Sequence, residues 1–107
     1  MRAVAVAALL LVGACRSTAD PERQARMATA RGDVSRLRDR GERDWRARGR
    51  CPTLAELKSE DAGARTVDPW GHAYVLLCPG QSGHAVDAVS KGADGDVATS
   101  DDVRSWD

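Results

Sequence analysis

Three cysteines, at positions 15, 51 and 78, constrain this 107-residue chain more than any other feature. The remaining sequence offers little from which to build a core: no Phe, one Tyr, three Trp, ten Gly and 30% charged residues. A chain of this size holds one small domain, and a core this poor in aromatics commonly needs a staple, either a disulfide or a bound metal. How the cysteines divide decides which staple is available. Length excludes large enzymes and multi-span membrane proteins. A formal net charge of zero argues against a chain whose main task is to coat nucleic acid.

The first cysteine closes an N-terminal address. Met1-Arg2 is a short basic start, and Ala3 to Val12 is an unbroken apolar run of ten residues. A bilayer-spanning helix takes about 20 residues, whereas a run of this length suits the apolar region of a secretory signal. The run ends in Leu11-Val12-Gly13-Ala14-Cys15, which resembles the bacterial lipobox, where cleavage precedes the Cys and lipid is attached to its sulfur. Residues 1–14 are thus expected to be a lipoprotein signal peptide, and 15–20 the lipidated N-terminus and a short tether. Membrane attachment would run through Cys15, by more than one acyl chain, which suffices for stable anchoring. Arg16 stands where an Asp would mark inner-membrane retention, which favours the outer membrane. An ordinary signal peptide cut near Ala14 is the alternative, with Cys15 an incidental thiol; an uncleaved helix is a third reading.

With Cys15 acylated, Cys51 and Cys78 remain as a pair in an oxidising compartment. A bond between them closes a loop of about 28 residues, and chain entropy places its contribution near 3.5 kcal/mol. Two free buried thiols are the alternative. A metal held by two isolated cysteines without a nearby His is a weaker one.

Charge divides near Arg50. From Arg16 to Arg50 there are eleven arginines against six acids; from Cys51 to Asp107, four bases against ten acids. The first half reads as a helix over about 21–49. Asp20 is a natural N-cap, Pro21 suits the first helical position, and Gly49 is a stop. Met27, Ala30, Val34, Leu37, Gly41 and Trp45 recur at spacings of three or four and form one narrow apolar stripe. The arginine-rich remainder reads as a solvated face carrying Arg–acid pairs such as Asp39 with Arg43 and Glu42 with Arg46. Contact with anionic lipid or RNA is the sharper alternative.

After Cys51-Pro52, Thr53 and Glu56 form a capping-box pattern for a short helical turn, with Leu54 and Leu57 facing inward. Ser59 to Thr66 reads as a polar loop. Ala73 to Cys78 and His84 to Ser90 read as strands on either side of the turn-rich Pro79-Gly80-Gln81-Ser82-Gly83, with Val86 and Ala88 on one face. Lys91 to Asp107 reads as an acidic loop closed by Trp106. Trp70 and Tyr74 suit packing. His72 and His84 lack a nucleophile or third partner, and no Ser–His–Asp order, phosphate loop or zinc spacing is present, so no catalytic role is expected.

Asp94, Asp96, Asp101 and Asp102 fall within nine residues, beside Gly92 and Gly95. Carboxylates this dense repel unless solvated or neutralised, and Ca2+ takes six to eight oxygens from such loops. The EF-hand pattern does not fit: the twelfth position from Asp94 is Ser105, and the sixth is not Gly. Spacing alone leaves a solvated loop and a cation site open.

Asp68-Pro69-Trp70-Gly71, Tyr74, Pro79-Gly80, Val86-Asp87, Ser90-Lys91-Gly92-Ala93-Asp94-Gly95, Asp101-Asp102-Val103 and Trp106 occur in an order that resembles the C-terminal domain of the type II secretion major pseudopilin, protein G. The likeness covers Thr66 to Trp106 well and extends loosely to Arg50-Cys51-Pro52-Thr53. It implies an α+β fold over 21–107: an N-terminal α-helix packed on a small antiparallel β-sheet, with sheet and calcium-binding loop at about 66–107. It also implies Ca2+ held by the side chains of Asp94, Asp101 and Asp102 and by the backbone carbonyls of Lys91 and Thr99, with Asp96 solvated.

The chain departs from that family at its start. The family's processing site and Phe-led apolar helix are not found, Cys15 stands in place of the processing site, and the Cys51/Cys78 pair is additional. The expectation is therefore a non-catalytic, lipid-anchored envelope protein whose domain contacts another protein, such as a component of a secretion or pilus-like apparatus. It would have no nucleic-acid or small-molecule ligand. A divergent pseudopilus subunit is the alternative, and an envelope enzyme a third reading without supporting residues.

Overall fold

The structure, a computed structural model, describes residues 20–96 and 101–107. The expected signal peptide at 1–14, the expected lipidation site Cys15 and the expected carbonyl donor Thr99 lie outside these residues. Helix α1 (Pro21–Arg48) begins as its sequence dictates. The Asp20 carboxylate accepts from the backbone N–H groups of Glu22 (3.0 Å) and Arg23 (3.3 Å), which would otherwise lack partners. Gly49 closes the helix, donating its N–H to the Trp45 carbonyl at 2.7 Å. Its inward face is Ala30, Asp33, Val34, Leu37, Gly41 and Asp44.

Trp45, expected at the end of the apolar stripe, is 36% exposed, and Asp44 takes the inward place. The reason is local charge. This end of α1 meets the charged helix α2 (Leu54–Glu60), not the apolar sheet, and Arg48 bridges Asp44 (3.7 Å), Glu56 (3.3 Å) and Glu60 (3.1 Å). Asp44 Oδ2 has no donor while Glu60 is ionised. A proton on Glu60 supplies one, and the hydrogen bond to Asp44 raises the Glu60 carboxyl accordingly.

Helix α2 carries the full capping box: Glu56 N–H donates to Thr53 Oγ1 (3.1 Å) and Thr53 N–H to Glu56 Oε1 (2.9 Å). It runs through Glu60, beyond the point where a loop was expected from Ser59. Glu56 is held down to about 2, first by the Arg50 hydrogen bond and then by the Thr53 backbone. The expected pairs Asp39–Arg43 and Glu42–Arg46 are replaced by other partners. Asp39 pairs with Arg38 at 3.1 Å, and Glu42 accepts from the backbone N–H of Ala85 at 3.1 Å. Two further arginines of α1 reach across the fold: Arg36 (2.8 Å) and Arg40 (3.3 Å) both bind Asp61, just after α2.

Strands β1 (Val75–Leu77), β2 (Asp87–Ser90) and β3 (Val103–Arg104) form an antiparallel sheet in the order β1-β2-β3. The register sets Val75 opposite Val89, and Ser90 opposite Val103. β3 was expected to be loop. A two-residue strand shows no alternation in sequence, and it exists here because β2 offers a free edge, extended by the Ser105 N–H to Ala88 carbonyl bond of 2.9 Å. β2 is shorter than expected, with Val86 preceding it, and every one of its residues is buried. α1 packs across β2 and β3. The core is Ala30, Val34, Leu37, Leu57, Ala64, Tyr74, Ala88 and Val103, with Met27, Leu54, Trp70 and Leu76 against it. The Cys51–Cys78 disulfide is formed, with Cα atoms 5.9 Å apart, and ties the α1–α2 linker to the end of β1.

Gly41 permits the closest approach of α1 to the segment entering β2: a Cβ there would lie 2.6 Å from Val86 Cγ1. Gly32, on the exposed face, has nothing within 4 Å. Two substitutions of identical chemistry should therefore act oppositely. Gly32→Ala is expected to raise unfolding free energy by about 1 kcal/mol through helix propensity. Gly41→Ala is expected to lower it by about 1–3 kcal/mol through overpacking. Urea denaturation of both variants checks this, and a gain at both positions would show that the Gly41–Val86 contact yields.

Candidate metal centre

The acidic loop leaves β2 after Ser90 and returns to β3 at Val103, so its two legs share one neck. On the first leg, the turn Asp68–Gly71 braces the neck from outside. Asp68 Oδ1 accepts from the backbone N–H groups of Trp70 (3.0 Å) and His72 (2.9 Å), the side-chain-capped turn that Asp favours. Its N–H donates to the His72 carbonyl at 2.8 Å, and Val67 bridges Ala73. Asp68 Oδ2 accepts from the buried Ser90 hydroxyl at 2.7 Å, and Ser90 Oγ in turn accepts from Gly92 N–H at 3.2 Å. Gly92 has φ +71°, and a Cβ there would overlap the Asp101 carbonyl, so only glycine lets the two legs close. The His72 ring lies against Gly95, where a Cβ would come within 2.9 Å of its Cε1.

Asp94, Asp101 and Asp102 are brought together: each offers a carboxylate oxygen, and these oxygens all lie within 4.8 Å of one another. Asp94 N–H donates to Asp101 Oδ2 at 3.0 Å, and Asp96 N–H to Asp94 Oδ1 at 2.9 Å. Asp94 and Asp96 are exposed, while Asp101 is half-buried. Three convergent carboxylates with backbone carbonyls nearby make an all-oxygen donor set, which fits a hard cation such as Ca2+ and offers nothing to a softer metal. Lys91, one residue before Gly92, sits at the neck. The cysteines expected to pair stand well away from this set, in the disulfide.

A second polar cluster closes the opposite end of β2. The Asp87 carboxylate is fully buried and accepts from Ser105 Oγ (2.6 Å) and Gln81 N–H (2.6 Å), with His84 Nδ1 at 3.0 Å from both oxygens. Burial pushes its carboxyl up, but Ser105, Gln81 and His84 outweigh burial and leave it lowered. Tyr74, expected to pack, does so with its hydroxyl donating to Asp33 Oδ2 at 2.5 Å, beside Arg65 at 3.0 Å. Burial first, then the Asp33 hydrogen bond, raises the phenol. The two histidines serve these contacts separately. Asp33 is not singled out from sequence, and Asp87 and Ser90 enter there only as members of the family's motifs, with no role of their own. The available signal was a polar residue inside an apolar run, as at Asp87 and Ser90 in 84–90.

A long helix on a three-stranded antiparallel sheet, with an acidic loop between the last two strands, defines a pseudopilin-like α+β domain. The chain matches the family model "Type II secretion system (T2SS), protein G" over residues 19–106 and belongs to that family. Type II secretion system core protein G of Escherichia coli K12 is 51% identical over 40 residues, 37% of this chain and 27% of that protein. The Klebsiella michiganensis protein of the same name is 49% identical over 57 residues, 51% of this chain and 39% of its own length. That of Aeromonas hydrophila is 49% identical over 39 residues, 36% of this chain and 27% of that protein. The chain thus spans about a quarter to two fifths of these relatives. No solved structure matches.

Because the three carboxylates face one another at close range, removing one charge should help the fold when cations are absent. In EDTA, Asp94→Asn, which keeps an oxygen for the Asp96 N–H, is expected to raise unfolding free energy by up to about 1 kcal/mol, the Coulomb energy of unit charges at this separation in a water-like medium. A loss of stability in EDTA would show that the Asp94 charge serves the fold and not a cation.

Proposed function

We propose that this chain is an envelope-anchored protein G domain that is stabilised by calcium and works by protein–protein contact. The observation that carries the reading is the convergence of Asp94, Asp101 and Asp102 within 4.8 Å on the loop that the family match covers. Asp94, Asp101 and Asp102 would hold Ca2+ through their carboxylates, and Lys91 and Thr99 through their backbone carbonyls. Bound calcium supplies charge neutralisation and ties the two legs of the loop between β2 and β3. Among the described residues the serine–aspartate pairs, Ser90 with Asp68 and Ser105 with Asp87, are buried within the fold, which suits contact in place of chemistry. Among the described residues no helix is long and apolar enough to cross a membrane. Attachment is assigned to lipid on Cys15, from the Leu11-Val12-Gly13-Ala14-Cys15 sequence.

A second reading, a subunit that enters a pseudopilus, is favoured by family membership itself and by relatives named as secretion-system core proteins. Either reading places the protein at the cell envelope with a protein partner.

Two measurements test the proposal. Ca2+ should raise the melting temperature of the purified chain, and Asp94→Ala combined with Asp101→Ala should abolish that response; a melting curve unmoved by EDTA ends the calcium reading. Metabolic labelling with radioactive palmitate should mark the wild type and not Cys15→Ala. Equal labelling of both, or of neither, ends the lipid reading.

A further inference from the structure

We infer that Asp68 and Ser90 are positioning residues for the cation loop: together they fix the Lys91–Gly92 peptide before any cation arrives. The inference rests on the calcium reading above and adds to it the parts that set affinity. Ser90 is fully buried at the last position of β2, opposite Val103 where the loop returns. Asp68 is 4% exposed, and the Gly92 N–H can only donate to Ser90 Oγ. The Ser90 hydroxyl must therefore donate to Asp68 Oδ2 (2.7 Å), which leaves its oxygen lone pairs for Gly92 N–H (3.2 Å). The direction of the relay is thus determined by chemistry.

Its consequence lies on the other side of one peptide bond. Gly92 N–H and the Lys91 carbonyl belong to the same planar trans peptide and point in opposite directions. Pinning the N–H onto Ser90 turns the Lys91 carbonyl away from Ser90 and holds it there, and that carbonyl is one of the backbone oxygens assigned to the cation. The same Asp68 carboxylate supports the loop at a second point. Its Oδ1 binds His72 N–H at 2.9 Å, and the His72 ring abuts Gly95. One buried carboxylate therefore steadies the backbone on both sides of Asp94, at Gly92 and at Gly95. Outer groups that orient metal ligands typically set affinity by 10- to 100-fold.

Calorimetric titration of the purified chain with Ca2+ tests this. Ser90→Ala and Asp68→Asn are each expected to raise the calcium dissociation constant by about 10-fold or more. Val89→Ala, a buried neighbour in the same strand without a hydrogen bond in the relay, should lower stability and leave the dissociation constant unchanged. An unchanged constant in a folded relay variant overturns the proposal, as does an equal rise in Val89→Ala. Calcium binding by the wild type is read in the same series, so failure of the relay is distinguished from failure of the calcium reading, which would remove both. A measurement on the wild type needs no variant: in EDTA the Gly92 amide should be protected from hydrogen exchange. Free exchange there overturns the inference directly.

Discussion

Four buried aspartates, each supplied with a donor from elsewhere in the chain, hold this domain in one arrangement. Asp33 on α1 takes Tyr74 and Arg65; Asp61 takes Arg36 and Arg40; Asp68 takes Ser90 and two turn amides; Asp87 takes Ser105, Gln81 and His84. A buried carboxylate without donors would cost several kcal/mol, so each one rejects any packing that separates it from its partners. Apolar burial could not do this alone. The core is built largely from Ala, Val and Leu, whose shapes tolerate more than one packing. In an aromatic-poor chain the carboxylates set which elements meet, and the Cys51–Cys78 bridge closes the corner that they leave open.

This division also explains what the sequence made legible. The limits of α1 were readable because Asp20, Pro21 and Gly49 act locally, and the Thr53–Glu56 box was readable for the same reason. The cysteine pairing followed from an elimination that did not depend on the fold. The inward turn of Asp44 in place of Trp45 was not readable, because it depends on Arg48 and on α2, a separate element. β3 was hidden because two residues carry no period, and Ser90 because its role needs Asp68, 22 residues earlier, to be beside it. The acidic loop was readable as a cluster. Its geometry was not, since convergence of Asp94 with Asp101 and Asp102 depends on the neck closing at Gly92.

The opposite charges of the two halves acquire a physical meaning in the fold. Part of the arginine face of α1 is drawn into the fold: Arg36, Arg40 and Arg48 reach acids in or just after α2, and Arg38 donates to the Ser105 carbonyl at 2.9 Å, beyond β3. Arg23, Arg26, Arg31, Arg43 and Arg46 stay exposed, as a solvated face requires. Asp94, Asp101 and Asp102 gather on the loop, where the backbone is glycine-rich and constrained at Gly92.

That contrast bears on what kind of work the domain can do. Along β2 one end is closed by Asp87 and Ser105, with its donors built in; the other end is supported by Asp68 and Ser90 and carries three convergent carboxylates. Three carboxylates within 4.8 Å of one another repel, and any group that neutralises them relieves that repulsion, so this end of β2 is the one most open to its surroundings, while the Asp87 end is closed by its own donors.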